Sequence, residues 1–234
     1  MRILLNKGNK MKVIAMIPAR LGSKRVYKKN IRLLNGIPLI SYTIRAVIKA
    51  GCFDEVWVNS ESDIIGNIAI SEGAKFYKRN QDLSTDDTTN DDFVLDFLKN
   101  VECDTTVQVL ATSPFISPQE IRDFTNKMIK VYACGLMAWK SSNYIENMSK
   151  YNCGYHGGDG KIDFFTIKGN STIDIDNEED FQQAELVARF LSNKEKLPIR
   201  YADDSEHVEV DVPSILKKDG VENNDLHSAN NELP

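Results

Sequence analysis

The chain has 234 residues, of which 41% are hydrophobic and 27% charged, with a net charge of −5 at pH 7. This is the make-up of a globular chain long enough to bury its own core without disulfide or metal staples. No apolar run approaches the ~20 residues of a membrane-spanning helix, and no long basic tract suits strong nucleic-acid binding, so neither a membrane nor a nucleic acid is an expected partner.

Residues 1–10 have too short an apolar core for a signal peptide, and residues 1–11 read as a flexible leader, with Met11 an equally good start site. Residues 12–17 (KVIAMI) form a nearly continuous apolar run, the pattern of a strand buried on both faces of a parallel sheet. A polar, basic loop follows to about residue 35. Residues 38–50 (PLISYTIRAVIKA) have apolar positions at helical spacing, with Pro38 in the first turn and Gly51 just past the end. Residues 55–59 then read as a strand, 62–71 as a helix stopping near Gly73, and 74–77 as a short strand. An amphipathic helix over 91–100 has acids in its first turn, where the helix dipole favours them. A strand over 106–110 follows, then a helix from Ser117-Pro118 to about residue 130. Residues 131–139 and 162–167 read as strands and 178–191 as the last strong helix. This alternation predicts an α/β fold with a doubly wound, mostly parallel sheet over residues 12–202. Residues 203–234 are acidic and Asn-rich and read as a mobile tail, with a short strand near 208–212.

The cysteines Cys52, Cys103, Cys134 and Cys153 are widely spaced with no C-x-x-C pair, and His156, His207 and His227 show no ligand spacing. Reduced thiols in a cytoplasmic protein are the expectation.

The most informative stretch is Ile17-Pro18-Ala19-Arg20-Leu21-Gly22-Ser23-Lys24-Arg25-Val26-Tyr27-Lys28-Lys29-Asn30. It concentrates cations, in an acidic chain, where a parallel sheet exposes its ligand site. Triphosphate binding needs such a concentration of positive charge together with backbone N–H groups. Gly22 would let the backbone approach phosphate oxygens. No G-K-[ST] follows the glycine, so this is not a Walker loop. On charge alone, a solvated basic loop fits equally well.

Asp174 and Asp176 stand two apart in an extended segment and so share a face. Two carboxylates beside a phosphate site suit Mg²⁺, which takes oxygen ligands and keeps several waters. Helix capping by Asp176 or Asn177 ahead of the helix at 178 explains the spacing as well.

The string I-P-A-R-L-G-S-K-R-V-Y-K-K-N resembles the N-terminal signature of the acylneuraminate cytidylyltransferase family, which makes CMP-activated acidic sugars. The resemblance continues through L-N-G-I-P-L-I-S-Y-T-I, F-D-E-V-W-V, Leu83-Ser84-Thr85-Asp86 and Thr112-Ser113-Pro114-Phe115. It closes with Ile173-Asp174-Ile175-Asp176-Asn177-Glu178-Glu179-Asp180-Phe181. It implies a Rossmann-like nucleotidyltransferase of the nucleotide-diphospho-sugar transferase type. The implied reaction transfers CMP from CTP to a sialic, pseudaminic or related 3-deoxy-ulosonic acid, with release of pyrophosphate and Mg²⁺ as cofactor.

The resemblance also implies roles. Arg20, Gly22, Ser23, Lys24 and Lys29 would bind phosphates, with Arg20 and Lys29 stabilising charge on the leaving group. Asn30, Arg79 and Thr85 match positions that contact cytosine or ribose. Asp174 and Asp176 would hold the metal and, with Arg20 and Lys29, form the catalytic set. Gln108 lies two residues before Leu110, the position at which relatives carry a sugar-contacting glutamine; it, Thr112 and Ser113 are the acceptor-binding candidates. The interval from Ser113 to Asp174 is 61 residues, shorter than is usual in the family, and it lacks the segment that forms an arm for dimer contacts and sugar binding. A homodimer is therefore a weaker expectation than CTP binding. A smaller acidic, phospho- or phosphono-acceptor, or a non-catalytic CTP-binding homologue, are the alternatives.

Overall fold

The computed structural model describes residues 5–6, 9–127, 131–133, 136–154 and 163–193. The tail at 203–234, with its expected strand near 208–212, lies outside them, as do Cys134 and all three histidines. Within the segment read as a leader, strands β1 (Leu5–Asn6) and β2 (Asn9–Lys10) pair antiparallel.

The 12–17 run becomes β3 (Val13–Pro18). Ile14 and Met16 are buried on one face and Ala15 and Ile17 on the other, which is why the run shows no polar alternation. After the basic loop, β4 (Leu33–Leu34) and β5 (Ile37–Pro38) form a hairpin. Its Asn35-Gly36 turn has φ of 47° and 81°, the left-handed pair that a tight hairpin requires and that Asn-Gly adopts readily. Helix α1 (Leu39–Ala50) starts one residue later than expected, because Pro38 is extended at ψ 134° and occupies the N-cap. Gly51 ends the helix at φ 62°, as the sequence suggests.

The alternation continues with β6 (Glu55–Ser60), α2 (Asp63–Ser71), β7 (Lys75–Lys78), α3 (Asn90–Asn100) and β8 (Thr105–Val109). Thr89 and Asp92 cap α3 reciprocally. Helix α4 (Pro118–Lys127) is capped in the same way by Ser117 and Glu120.

The run at 131–139 is not one strand. It divides into β9 (Val131–Ala133) and β10 (Leu136–Lys140), paired antiparallel. Helix α5 (Ser141–Tyr151), which the sequence reading does not include, follows directly. The expected strand at 162–167 contracts to β11 (Asp163–Phe164), and α6 (Glu178–Asn193) closes the described chain.

The central sheet has the order β11-β9-β10-β8-β3-β6-β7. Strands β8, β3, β6 and β7 are mutually parallel, and β10 runs against them. Helices α1, α2 and α4 cover one face through Ile40, Ile44, Val47, Ile65, Ile121 and Phe124. Helices α3 and α5 cover the other through Val94, Phe97 and Tyr144. A third apolar cluster joins Val26 of the basic loop, Leu34, Leu39 and Tyr42 to Ile175 and Phe181. It brings two segments distant in sequence to the same end of the sheet.

Candidate active site

The carboxyl ends of β3 and β8 are adjacent, and the chain leaves them toward opposite edges of the sheet, from β3 to β6 and from β8 to β9. Such a switch point is where doubly wound sheets open a ligand crevice. A cleft of about 530 Å³ lies there, walled by the loop after β3, by Arg79 after β7, by the approach to α3 and by the end of β8.

The basic loop is held in shape by one contact within itself and one to the segment after β6. Asn30 Nδ2 donates to the Arg20 carbonyl (2.8 Å), and the Leu21 N–H donates to Glu61 Oε1 (2.7 Å). Val26, fully buried, pins its middle. Lys28 sits at φ 49°, a left-handed conformation that costs an ordinary residue about 1–2 kcal/mol. It opens the 3₁₀ turn Lys29–Ile31.

Lys29 is only 8% exposed, and its Nζ donates to the Ile175 carbonyl at 2.5 Å. Burial pulls its pKa below the usual lysine value; Asp176 and Asp174 oppose that shift, and Arg25 adds to it. The ammonium therefore feels both carboxylates of the Asp174-Ile175-Asp176 segment. That segment is fixed at its centre, where the Ile175 N–H donates to the Thr112 carbonyl (2.8 Å) and the Ile175 side chain is fully buried.

The capping alternative is resolved by the start of α6. Asn177 Oδ1 accepts the Asp180 N–H, and Asp180 Oδ2 accepts the N–H groups of Asp176 and Asn177, each at 2.9 Å. Asn177 is the cap. The Asp176 carboxylate is left to pair with Arg25 Nη2 at 2.8 Å. Arg32 clamps the same helix end, bidentate to Glu178 at 2.6 and 2.7 Å and 4.0 Å above the Phe181 ring.

The opposite wall has a buried root. Arg79, 4% exposed, donates to the Ala19 carbonyl and to Ser84 Oγ, each at 3.0 Å, and pairs with Glu61 at 3.4 Å. Its guanidinium lies 4.8 Å over the Phe93 ring. Burial lowers its pKa, with Glu61 opposing. At the tip, Arg20 Nη1 donates to the Thr85 carbonyl (3.1 Å) and to Asp86 Oδ1 (3.0 Å), and Lys24 contacts the other Asp86 oxygen.

A family model described as cytidylyltransferase matches residues 14–145, more than half of the chain. The chain belongs to the cytidylyltransferase family. It is 40% identical over 118 residues to the CMP-N,N'-diacetyllegionaminic acid synthase of Legionella pneumophila subsp. pneumophila, covering 48% of this chain and 51% of that one. It is 33% identical over 130 residues to the N-acylneuraminate cytidylyltransferase of Oncorhynchus mykiss, covering 55% of this chain and 30% of that one. The match thus spans between about a third and a half of the length of these relatives. Among solved structures, a cytidylyltransferase from Leptospira borgpetersenii serovar Hardjo-bovis superposes with a TM-score of 0.65 at 16% identity, over 89% of this chain and 95% of that one. A CMP:2-keto-3-deoxy-manno-octonic acid synthetase complexed with CTP gives 0.61 at 14%, over 76% and 98%. These two likenesses establish the nucleotidyltransferase fold.

Arg20, Ser23, Lys24, Lys29, Asn30, Arg79, Thr85, Gln108 and Thr112 line one cleft of this cytidylyltransferase-family chain. Gly22 lines a neighbouring cleft beyond the loop, beside Leu21 and Glu61. A Cβ built on it meets nothing within 4 Å, so no close contact in this structure demands a glycine there. Ser113 is 1% exposed and does not line the cleft. Gln108 is fully buried and donates from Nε2 to Asn90 Oδ1 at 2.8 Å, which makes it part of the cleft floor. Trp139 and Tyr144 pack in the core cluster under α3 and α5.

The sequence reading assigns no role to Arg25, Glu61 or Phe93, and does not pair Asp86 with the basic loop. Arg25 and Asp86 lie inside the quoted strings, so their charge was a usable signal. Glu61 and Phe93 carry no local signal, because only the packing of β6 and α3 against Arg79 brings them to the site. Among the described residues no three carboxylate, imidazole or thiol groups converge. A cation beside Asp174 and Asp176 would have two protein carboxylates and would complete its shell with phosphate and water oxygens, the habit of Mg²⁺. That donor set fits.

Proposed function

We propose that this chain transfers CMP from CTP to an acidic sugar and releases pyrophosphate. The observation that carries the reading is the gathering of Arg20, Lys24, Arg25 and Lys29 in one cleft, with Arg25 paired to Asp176 and Lys29 held against the Ile175 carbonyl between the two aspartates, in a cytidylyltransferase-family chain. The names of the matched relatives point to N-acylneuraminic and legionaminic acids as the kind of acceptor.

The acceptor hydroxyl gives up its proton to solvent as its oxygen bonds to the α-phosphorus, and the bond from that phosphorus to the bridging oxygen of pyrophosphate breaks. Arg20, Lys24 and Lys29 bind the phosphates. Arg20 and Lys29 offset the charge that builds on the departing oxygen, an effect worth most where the donors are already in place. Lys29 is such a donor, buried and held against the Ile175 carbonyl. Asn30 and Arg79 hold the loops that face the nucleotide, and Thr85 lies on the exposed rim. Gln108 and Thr112, at the end of β8, serve the acceptor side, with Ser113 supporting from beneath. Asp174 and Asp176 would hold Mg²⁺, which supplies Lewis-acid neutralisation of phosphate charge when bound. The free thiols of Cys52, Cys103 and Cys153 support a cytoplasmic setting.

Pyrophosphate release from CTP with Mg²⁺ and a panel of 3-deoxy-ulosonic acids tests this reading. Release with one of them and not with UTP is expected; no release with any acceptor refutes it. The 61-residue interval between Ser113 and Asp174 favours adding smaller acidic and phospho-acceptors to the panel. Turnover with those alone would reassign the acceptor while leaving the nucleotide half intact.

A further inference from the structure

Two cations of the cleft already hold an anion that belongs to the chain itself. Arg20 Nη1 stands 3.0 Å from Asp86 Oδ1, and Lys24 Nζ contacts Asp86 Oδ2. A guanidinium on one carboxylate oxygen and an ammonium on the other is the coordination that two oxygens of a phosphate would take between the same groups. Arg20 also donates to the Thr85 carbonyl at 3.1 Å and lies 3.4 Å from that of Ser84, so the loop tip is drawn onto the basic loop. Root and tip of this wall are built differently. The Arg79 and Glu61 side chains are 3% and 7% exposed at the root, whereas those of Lys24 and Asp86 are 78% and 47% exposed at the tip. Exposed ion pairs are weak and exchange readily for another anion. Lys24 first and Arg20 second hold the Asp86 carboxyl below its ordinary pKa range, so it remains an anion at neutral pH.

We propose that Asp86 is a built-in competitor for phosphate: it occupies the seat between Arg20 and Lys24 in the free chain and must be exchanged for a ligand phosphate. The proposal rests on the reading of the cleft as a phosphate site and adds a device that weakens phosphate binding there. Such a device suits a reaction that must let go of a highly charged leaving group. When pyrophosphate loosens its hold, the carboxylate is at hand to take both cations back.

The opposite role would be construction of the site, in which Asp86 aims Arg20 and Lys24 at the ligand. The two roles predict opposite signs. The test is calorimetric titration of inorganic pyrophosphate and tripolyphosphate into the full chain, Asp86→Asn, Asp86→Ala and Asp87→Asn. Asp87 is a neighbouring exposed acid that does not line the cleft, so its variant controls for the loss of one negative charge. Both Asp86 variants are expected to bind the two anions about fivefold tighter than wild type, as the loss of exposed competing pairs implies, with Asp87→Asn changing less than about twofold. Equal effects of Asp86→Asn and Asp87→Asn, or weaker binding by the Asp86 variants, would overturn the proposal while leaving the phosphate site standing. Failure of wild type and every variant to bind either anion would remove the phosphate reading, and the proposal with it. The probes carry no base, so the result is independent of whether the nucleotide is CTP.

Discussion

Lys29 and Arg20 leave the same loop, yet the two cations are held in opposite ways. Lys29 is buried, donates to a backbone carbonyl and faces two carboxylates on a segment locked by Ile175 and Phe181. Arg20 is about one-third exposed and donates to backbone carbonyls and a carboxylate on a surface loop. The first is a charge fixed before any ligand arrives; the second is held by contacts that a ligand can replace. A site that must both stabilise a transition state and release a charged product benefits from having one of each, because preorganisation serves the first task and exchangeability the second.

The comparison can be broken hardest at Phe181. It is fully buried between α6 and the basic loop, and Phe181→Ala is expected to cost about 3–5 kcal/mol in a urea unfolding titration. A loss of under about 1 kcal/mol would mean that the fixed wall is not held by this cluster. At the level of chemistry, Arg20→Ala and Asp176→Asn are each expected to lower turnover by about 10²–10³-fold, the scale of one lost charge-stabilising group. Asp176 is exposed and does not cap α6, so its variant should melt like wild type. Near-normal turnover of Asp176→Asn at saturating Mg²⁺ would remove that carboxylate from the mechanism. On the exchangeable side, Thr89 accepts the Asp92 N–H and caps α3. Thr89→Ala should lower stability by about 1 kcal/mol while leaving Asp176-dependent turnover in place; a large activity loss would show that the two walls are less separate than their contacts suggest.

The smallest effect is expected far from both walls, at the opposite end of the sheet. The Lys75 ammonium foremost, with the Trp57 indole and Lys12, holds the Glu55 carboxyl down from 4.5 to about 2. A carboxyl depressed on folding contributes stability that is whole above its unfolded value and is lost as the pH falls through the folded one. Glu55→Gln should therefore lower the melting temperature slightly at pH 7, by an effect below about 1 kcal/mol. The gap to wild type should close between about pH 4.5 and 2, with CTP turnover at neutral pH unchanged. A gap that persists at pH 2 would show that packing, not charge, is what Glu55 supplies.

Several features needed nothing beyond local pattern. The β3 run, the Pro38 and Gly51 boundaries of α1, and the acids opening α3 all follow from periodicity and end chemistry. Other features were hidden for physical reasons. The 131–139 run is apolar throughout, and apolarity does not say where a chain turns back, so β9 and β10 read as one strand. Helix α5 buries Tyr144 but exposes Ile145 and Tyr151, which leaves it without the clean stripe that marks an amphipathic helix. Gly22 fits the pattern of a phosphate-approaching glycine, and the structure places it along a neighbouring cleft with Leu21, whose N–H is tied to Glu61.

By itself the sequence determined the main strand–helix alternation from β3 to α4, the basic loop after the first buried strand and the pair of aspartates ahead of the last helix. These depend on spacings of a few residues, which backbone periodicity converts directly into faces and ends. Only the tertiary structure decided that Lys29 meets the Ile175 carbonyl across 146 positions of chain, that Arg25 takes Asp176 while Asn177 takes the cap, and that Asp86 sits between Arg20 and Lys24. Those meetings require loops to close, and what closes them is the shared burial of Val26, Ile175 and Phe181 and the buried Arg79–Glu61 pair, none of which is a property of any one stretch of residues.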